Sequence, residues 1–290
     1  MKFVVKKTDS LINIVSEYFS ETSKSKIKKI ISSGSIYLGT RKLTKANLFI
    51  KEGTELEYIK NKKNTFRNEF PYSILYEDEY LIAVDKPAGI ITHGIDSISK
   101  PSLLKAVNEY IKDSTKGKKH AYIIHRLDRE VSGAILLAKS TDIMQTMKSN
   151  WKDTEKIYYA LVEGKPEITE GTLSSWLIED EKQKMKSVEK CDNAKYAVTH
   201  YKTIGNYGNY TLLEISLETG RKNQIRVHLS ELGHPIVGDR KYGADSTYIR
   251  QIRLHSTSIS FIHPVTKKAI LIQSKLPKNF LIVKDENEKY

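Results

Sequence analysis

The sequence predicts an α+β protein, a large, mostly antiparallel or mixed β-sheet domain with flanking helices, preceded by a small N-terminal α/β module. Three observations predict it. Apolar, β-branched runs recur from residue 73 onward without the regular strand and helix alternation of a parallel sheet. Within that region helical periodicity is confined to about residues 101 to 113, 140 to 151 and 223 to 232. The N-terminal quarter differs in charge: residues 1 to 70 hold 15 Lys/Arg against 7 Asp/Glu, eight of the thirteen net positive charges.

In chain order, "TSKSKIKKIISSG" places Ile27, Ile30 and Ile31 at i, i+3 and i+4 and turns Lys26, Lys28 and Lys29 to other faces, with Gly34 as the stop. Short β-type runs follow in "SIYLGTRKLTKANLFIKEGTELEY", so residues 1 to 62 form a compact ααβ module. Lys24, Lys26, Lys28, Lys29, Arg41 and Lys42 are its candidate phosphate contacts, with a merely solvated basic face as the alternative. "KNKKNTFRNEFPYS" has linker composition, which puts a linker at 63 to 72 and the second domain at 73 to 290. There, "SILYEDEYLIAVDKPAGIITHG", "AYIIH", "GAILLA", "KIYYALVEG", "AVTHYKTI" and "YTLLEISLE" read as strands.

Composition narrows function. With 39% hydrophobic and 29% charged residues and no apolar run near about 18 residues, no membrane span is expected. Lysines interrupt the first apolar run and no small-residue cleavage site follows, so no secretory signal is expected. The lone Cys191 supplies neither an internal disulfide nor a thiolate cluster, and the setting is read as cytoplasmic. A net charge of +13 favours a polyanionic partner, nucleic acid foremost. No phosphate loop, GxGxxG, HExxH or GxSxG is present, and the eight histidines show no ligand spacing, so no metal is expected.

Three polar groups stand inside apolar elements. "IIHRLDREVSG" suspends Asp128 in a loop between two buried strands, flanked by Arg126 and Arg129, whose charges would hold it ionised. A structural turn and a reacting carboxylate are equally served by that pattern. Tyr158 shares a strand face with Ala160 and Val162, where core packing is the stronger reading and a ring offered to a base the other. Ile225, His228, Leu229 and Leu232 form a helical stripe ended by Gly233, and Arg226 lies on its flank, able to reach a carboxylate or solvent. His228 reads as a hydrogen-bonded core residue rather than a ligand.

In this order, "YEDEYLIAVDKPAGIITHG", "HRLDREVSG", "KIYYALVEG" and "TGRKNQIRVHLSELGHPIVGDRKYG" resemble the RluA-type pseudouridine synthases over about residues 74 to 275. The N-terminal module is similar to the S4 RNA-binding domain that many members carry. The resemblance implies that Asp128 is the catalytic aspartate, that Tyr158 stacks on the target base and helps remove the C5 proton, and that Arg226 pairs with Asp128. It implies that Arg126 fills the gap left by a flipped uridine, with Lys86 and Arg221 as further RNA contacts. Val131 and Asn223 depart from the family pattern, which usually has Thr and His there. Isomerising uridine needs no redox change or hydrolysis, so no cofactor is expected; attack at C1', attack at C6 and a glycal route all stay open. The expected substrate is large-subunit rRNA, with tRNA as runner-up and a non-catalytic RNA-binding assembly factor as the alternative class. A monomer is expected.

Overall fold

A computed structural model describes residues 1–32, 34–39, 41–59, 70–94, 102–245, 249 and 251–282. The chain divides into two compact units, Met1–Glu69 and Phe70–Tyr290.

The smaller unit runs β1 (Lys2–Val4), β2 (Asp9–Ser10), α1 (Leu11–Tyr18), α2 (Lys24–Ser32), β3 (Ile36–Leu38), β4 (Arg41–Leu43), β5 (Phe49–Ile50) and β6 (Glu55–Tyr58). Four strands form a sheet in the order β1-β6-β3-β4, and β2 pairs with β5. Ile27 and Ile31 bury the inner face of α2 against Leu11, Val15, Ile36 and Leu56. Lys24, Lys26, Lys28 and Lys29 are exposed on the same helix, as are Arg41 and Lys42 on β4. Gly34 ends α2 as its sequence position predicts: it takes φ 68°, a left-handed value that costs glycine little, and its N–H donates to Ile31 O at 2.9 Å.

The larger unit runs β7 (Ile74–Glu77), β8 (Leu81–Lys86), α3 (Leu103–Ser114), β9 (Tyr122–Ile123), β10 (Ser132–Ala138), α4 (Thr141–Ser149), β11 (Glu155–Glu163), β12 (Glu170–Glu179), β13 (Met185–Val188), β14 (Lys195–Tyr207), β15 (Tyr210–Leu217), α5 (Gln224–Glu231), β16 (Leu254–Ile262) and β17 (Ala269–Gln273). Its sheet has the order β13-β12-β14-β15-β11-β16-β10-β8-β7, with β17 added to β16 and β9 to β10. Among these strands every pairing is antiparallel except β10 with β16, so the sheet is mixed as the irregular helix spacing predicts. One face buries Val107 and Ile111 of α3 and Ile225 and Leu229 of α5 with Tyr158, Ala160 and Val162. The other face holds a second core under α4 and β17.

The sequence expectation lacks β12, β13, β16 and β17: Ser, Thr, His or Lys interrupt the apolar residues of β12, β13 and β16, whereas β17, "AILIQ", is a short apolar run left unassigned. In β16, "LHSTSISFI", His255 and Ser256 are themselves buried, and a period-2 strand with polar residues on a buried face carries no apolar run to recognise. The expected linker is also corrected at its end. Phe70 packs its ring 5.5 Å from Tyr72 and 5.0 Å from Tyr110, so residues 70 to 72 belong to the larger unit; residues 60 to 69 lie outside the described ones. Among the described residues no helix is long and apolar enough to cross a membrane.

Candidate active site

The loop carrying Asp128 is fixed from both sides. Leu127 buries its side chain in the main core, while its N–H and carbonyl both bond Thr92 Oγ1, at 3.3 and 2.8 Å. Thr92 is fixed in turn, because its carbonyl and that of Ile91 accept the first free N–H groups of α3. On the other side Arg129 O accepts from Gly89 N at 2.7 Å and from Lys86 Nζ at 3.3 Å. Beyond the loop, Gly133 has φ 113°, and a Cβ there would lie 2.2 Å from Ser256 O, so the close β10–β16 crossing requires glycine. The segment "DKPAGIIT" is thus the clamp that holds Asp128 in place.

Lys86 is corrected accordingly. It is fully buried, and its ammonium donates to Pro87 O at 3.0 Å, Ile90 O at 2.8 Å and Arg129 O at 3.3 Å, so it is out of reach of RNA. Burial pushes its pKa down to about 8 despite the nearby Glu130 and Asp128 charges. A lysine beside Pro in a turn reads as a surface cation; only the folded loop supplies the three carbonyls that make it structural.

Arg226 turns inward from α5, with its side chain 6% exposed. Its Nη1 lies 3.3 Å from Asp128 Oδ2, which brings the two expected partners together. Its stronger pairing is one the sequence reading did not identify: Nε and Nη2 bond both oxygens of Asp239 at 2.6 and 2.8 Å. The guanidinium also lies 5.0 Å over the Tyr242 ring and bonds Asn223 Oδ1 at 3.3 Å. Burial disfavours its charge, but the Asp239 and Asp128 carboxylates more than offset this and raise its pKa. Arg126 and Arg129, the sequence neighbours expected to neutralise Asp128, are both exposed, and Arg129 lies 3.9 Å from Glu130 instead.

The two departures from the family pattern have clear places. Asn223 caps α5 with φ 53°, a left-handed conformation that asparagine tolerates, and its Nδ2 donates to Tyr242 Oη at 2.9 Å. Val131 is buried in the core beside the site, where no hydroxyl is needed. His228 bonds Thr199 and Ser175 and is the core histidine expected.

Tyr158 faces the core with Ala160 and Val162, as the strand period predicts, and its ring lines a cavity of about 170 Å³ together with Asp128, Val131, Leu217 and Leu254. Burial first, then the Asp128 charge, push its pKa up to about 12, so the phenol stays protonated at neutral pH. A larger groove of about 600 Å³ shares Asp128, Arg126 and Arg226 and is lined by Arg129, Lys222 and Lys241. Arg221, exposed, stands on the rim of the smaller cavity. The site therefore joins a half-open cavity, with room for one planar group, to a cationic groove. Among the described residues no cluster of His, Cys, Asp or Glu could hold a metal.

His125, in the same loop, is held neutral. Its Nε2 accepts from Leu136 N at 3.0 Å and its ring stacks 4.6 Å from Trp151; burial, with Lys156 adding, pushes its pKa down to about 3 from 6.5. The unfolded chain takes up a proton below pH 6.5 that the folded one refuses, so this group draws stability down as pH falls from 6.5 towards 3. His125→Gln, whose amide oxygen accepts without titrating, is expected to flatten the fall in urea midpoint across that range. Parallel slopes in variant and wild type would contradict the assignment.

The pattern of the RNA pseudouridylate synthase family matches residues 80–231, which contain Asp128, Tyr158 and Arg226. Over 293 residues the chain is 31% identical to ribosomal large subunit pseudouridine synthase C of Buchnera aphidicola (subsp. Schizaphis graminum), covering 93% of this chain and 91% of that protein. It is 28% identical to ribosomal large subunit pseudouridine synthase D of Xanthomonas campestris pv. campestris, covering 92% and 85%. Human RNA pseudouridylate synthase domain containing 4 superposes with a TM-score of 0.61 at 26% identity, over 72% of this chain and 90% of that one. A half-buried carboxylate, a ring and a cationic groove on this sheet thus have their family: the chain belongs to the RNA pseudouridylate synthases, isomerases that act on RNA.

Proposed function

We propose that the chain converts uridine to pseudouridine in large-subunit rRNA, with Asp128 as the catalytic carboxylate. The observation that carries the reading is Asp128 beside Tyr158 in a one-base cavity, backed by Arg226 and opening on a cationic groove. The reaction breaks C1'–N1, turns the base and forms C1'–C5; the C5 proton leaves and N1 gains one, so atoms balance without oxidant or water. Tyr158 stacks its ring on the flipped base. Proton removal at C5 by its phenolate is disfavoured, because burial holds the phenol protonated. Arg226 positions Asp128, and Arg126 occupies the space the uridine vacates. The rRNA assignment is supported by relatives named for the large ribosomal subunit. The protein works as a cytoplasmic monomer in this reading.

The test compares pseudouridine positions in rRNA and tRNA from cells with and without the gene. One or a few large-subunit sites should disappear and return with wild type but not with Asp128→Ala. Loss in tRNA alone would move the substrate, and loss nowhere would overturn the reading.

The N-terminal unit acts in this proposal as an S4-like RNA-binding module whose Lys24, Lys26, Lys28, Lys29, Arg41 and Lys42 meet phosphates. Replacing the four α2 lysines by Ala should weaken RNA binding and flatten the slope of log K against log salt by about 0.7–0.9 for each phosphate no longer neutralised. An unchanged slope would remove the helix from the interface.

A further inference from the structure

Trp176 and Tyr196 lie at one corner of the sheet and have no place in the site described above. Val188, Trp176 and Tyr196 are register partners in a row across β13, β12 and β14. Their strand neighbours face α5: Ser175 Oγ bonds His228, and Leu177 and Ala197 pack with Val227. Alternation therefore turns Trp176 and Tyr196 to the opposite face. Neither ring joins a buried core, and Tyr196 is 44% exposed. The rings lie 5.3 Å apart, and Lys190 Nζ lies 5.4 Å from the Trp176 ring.

We propose that this aromatic row is a second RNA contact, on which bases of single-stranded RNA flanking the target uridine stack; the proposal rests on the reading of the chain as an RNA-modifying enzyme. Three observations favour RNA as the occupant. An exposed ring, Tyr196, beside a half-buried one, Trp176, with an ammonium over the latter, suits planar bases joined by phosphates. Charge is complementary: Lys186, Lys190 and Arg221 are exposed around the row against Glu189 and Asp192, while Glu179 and Glu218 are paired with Lys222 and His200. The row also meets the rim of the catalytic cavity, which lies on the α5 face of the sheet: Arg221 lines that cavity and its Nε donates to the backbone carbonyl of Tyr196 at 3.0 Å. A strand leaving the cavity over Arg221 rounds the start of β14 to reach Tyr196 and then Trp176 on the other face.

The chain has two tryptophans, so Trp151→Phe leaves Trp176 as the single tryptophan, which can be excited apart from the tyrosines. Titration of that variant with a single-stranded RNA of about 12 nucleotides should quench Trp176 saturably, and Tyr196→Ala should weaken the binding about 10-fold. In turnover assays on RNA from cells lacking the gene, the Trp176→Ala/Tyr196→Ala pair should raise KM about 10- to 100-fold with kcat within about 2-fold. Trp176→Phe/Tyr196→Phe, which keeps two ring faces, should restore KM. Unquenched fluorescence with KM unchanged in an active enzyme overturns the proposal, as does binding of a protein but not RNA at the row. If wild type makes no pseudouridine, the catalytic reading falls separately and the quenching titration alone decides the row.

Discussion

Asp128→Asn is expected to abolish pseudouridine formation, lowering kcat on the order of 10^4-fold while leaving the fold intact. The substitution is isosteric, and an amide oxygen can still accept from Arg226 Nη1, which lies 3.3 Å away in the wild type. Arg226 keeps its bidentate pairing with Asp239, so no buried charge is left alone. Stability should therefore change little, and so should RNA affinity, since Asp128 supplies no cation. Release of tritium from RNA carrying uridine labelled at C5 reads the chemistry directly, because that proton must leave. A variant that keeps more than about a hundredth of wild-type release would remove Asp128 from the catalytic role.

The second large effect is expected at Asp239, which is 1% exposed and was given no role by the sequence reading. Asp239→Ala leaves a buried guanidinium without its two short bonds, which should cost about 3–5 kcal/mol of stability. It should also draw Arg226 onto Asp128 and lower kcat more than it changes KM, since the pair acts on the carboxylate rather than on RNA binding. A double variant separates the two consequences. Arg226→Met with Asp239→Leu removes both charges and fills the space with apolar atoms, which should recover much of the stability. Turnover should stay low because Asp128 has lost its partner. Recovery of turnover together with stability would falsify the positioning role and make the Arg226–Asp239 pair purely structural.

Local patterns accounted for most of the fold. Period 3.6 located α2, α3, α4 and α5 to within a few residues, and period 2 gave the inward face of Tyr158, because both depend only on spacing along the chain. Strands with Ser, His or Thr on a buried face escaped, since hydrogen bonds such as His255 to Ser132 at 2.9 Å satisfy those groups only after folding.

By itself the sequence determined the class of sheet, the basic character of the N-terminal quarter and, through four motifs in order, the family. The tertiary structure alone decided which further groups the Asp, Tyr and Arg of those motifs meet, Asp239 foremost. Arg226 stands 98 residues from Asp128 and 13 from Asp239, and no local spacing says that one guanidinium reaches both. Likewise Lys86 became a clamp rather than an RNA contact. The physical reason is the same in each case. Burial and pairing of a charge are set by the elements that close around it, and these come from distant parts of the chain.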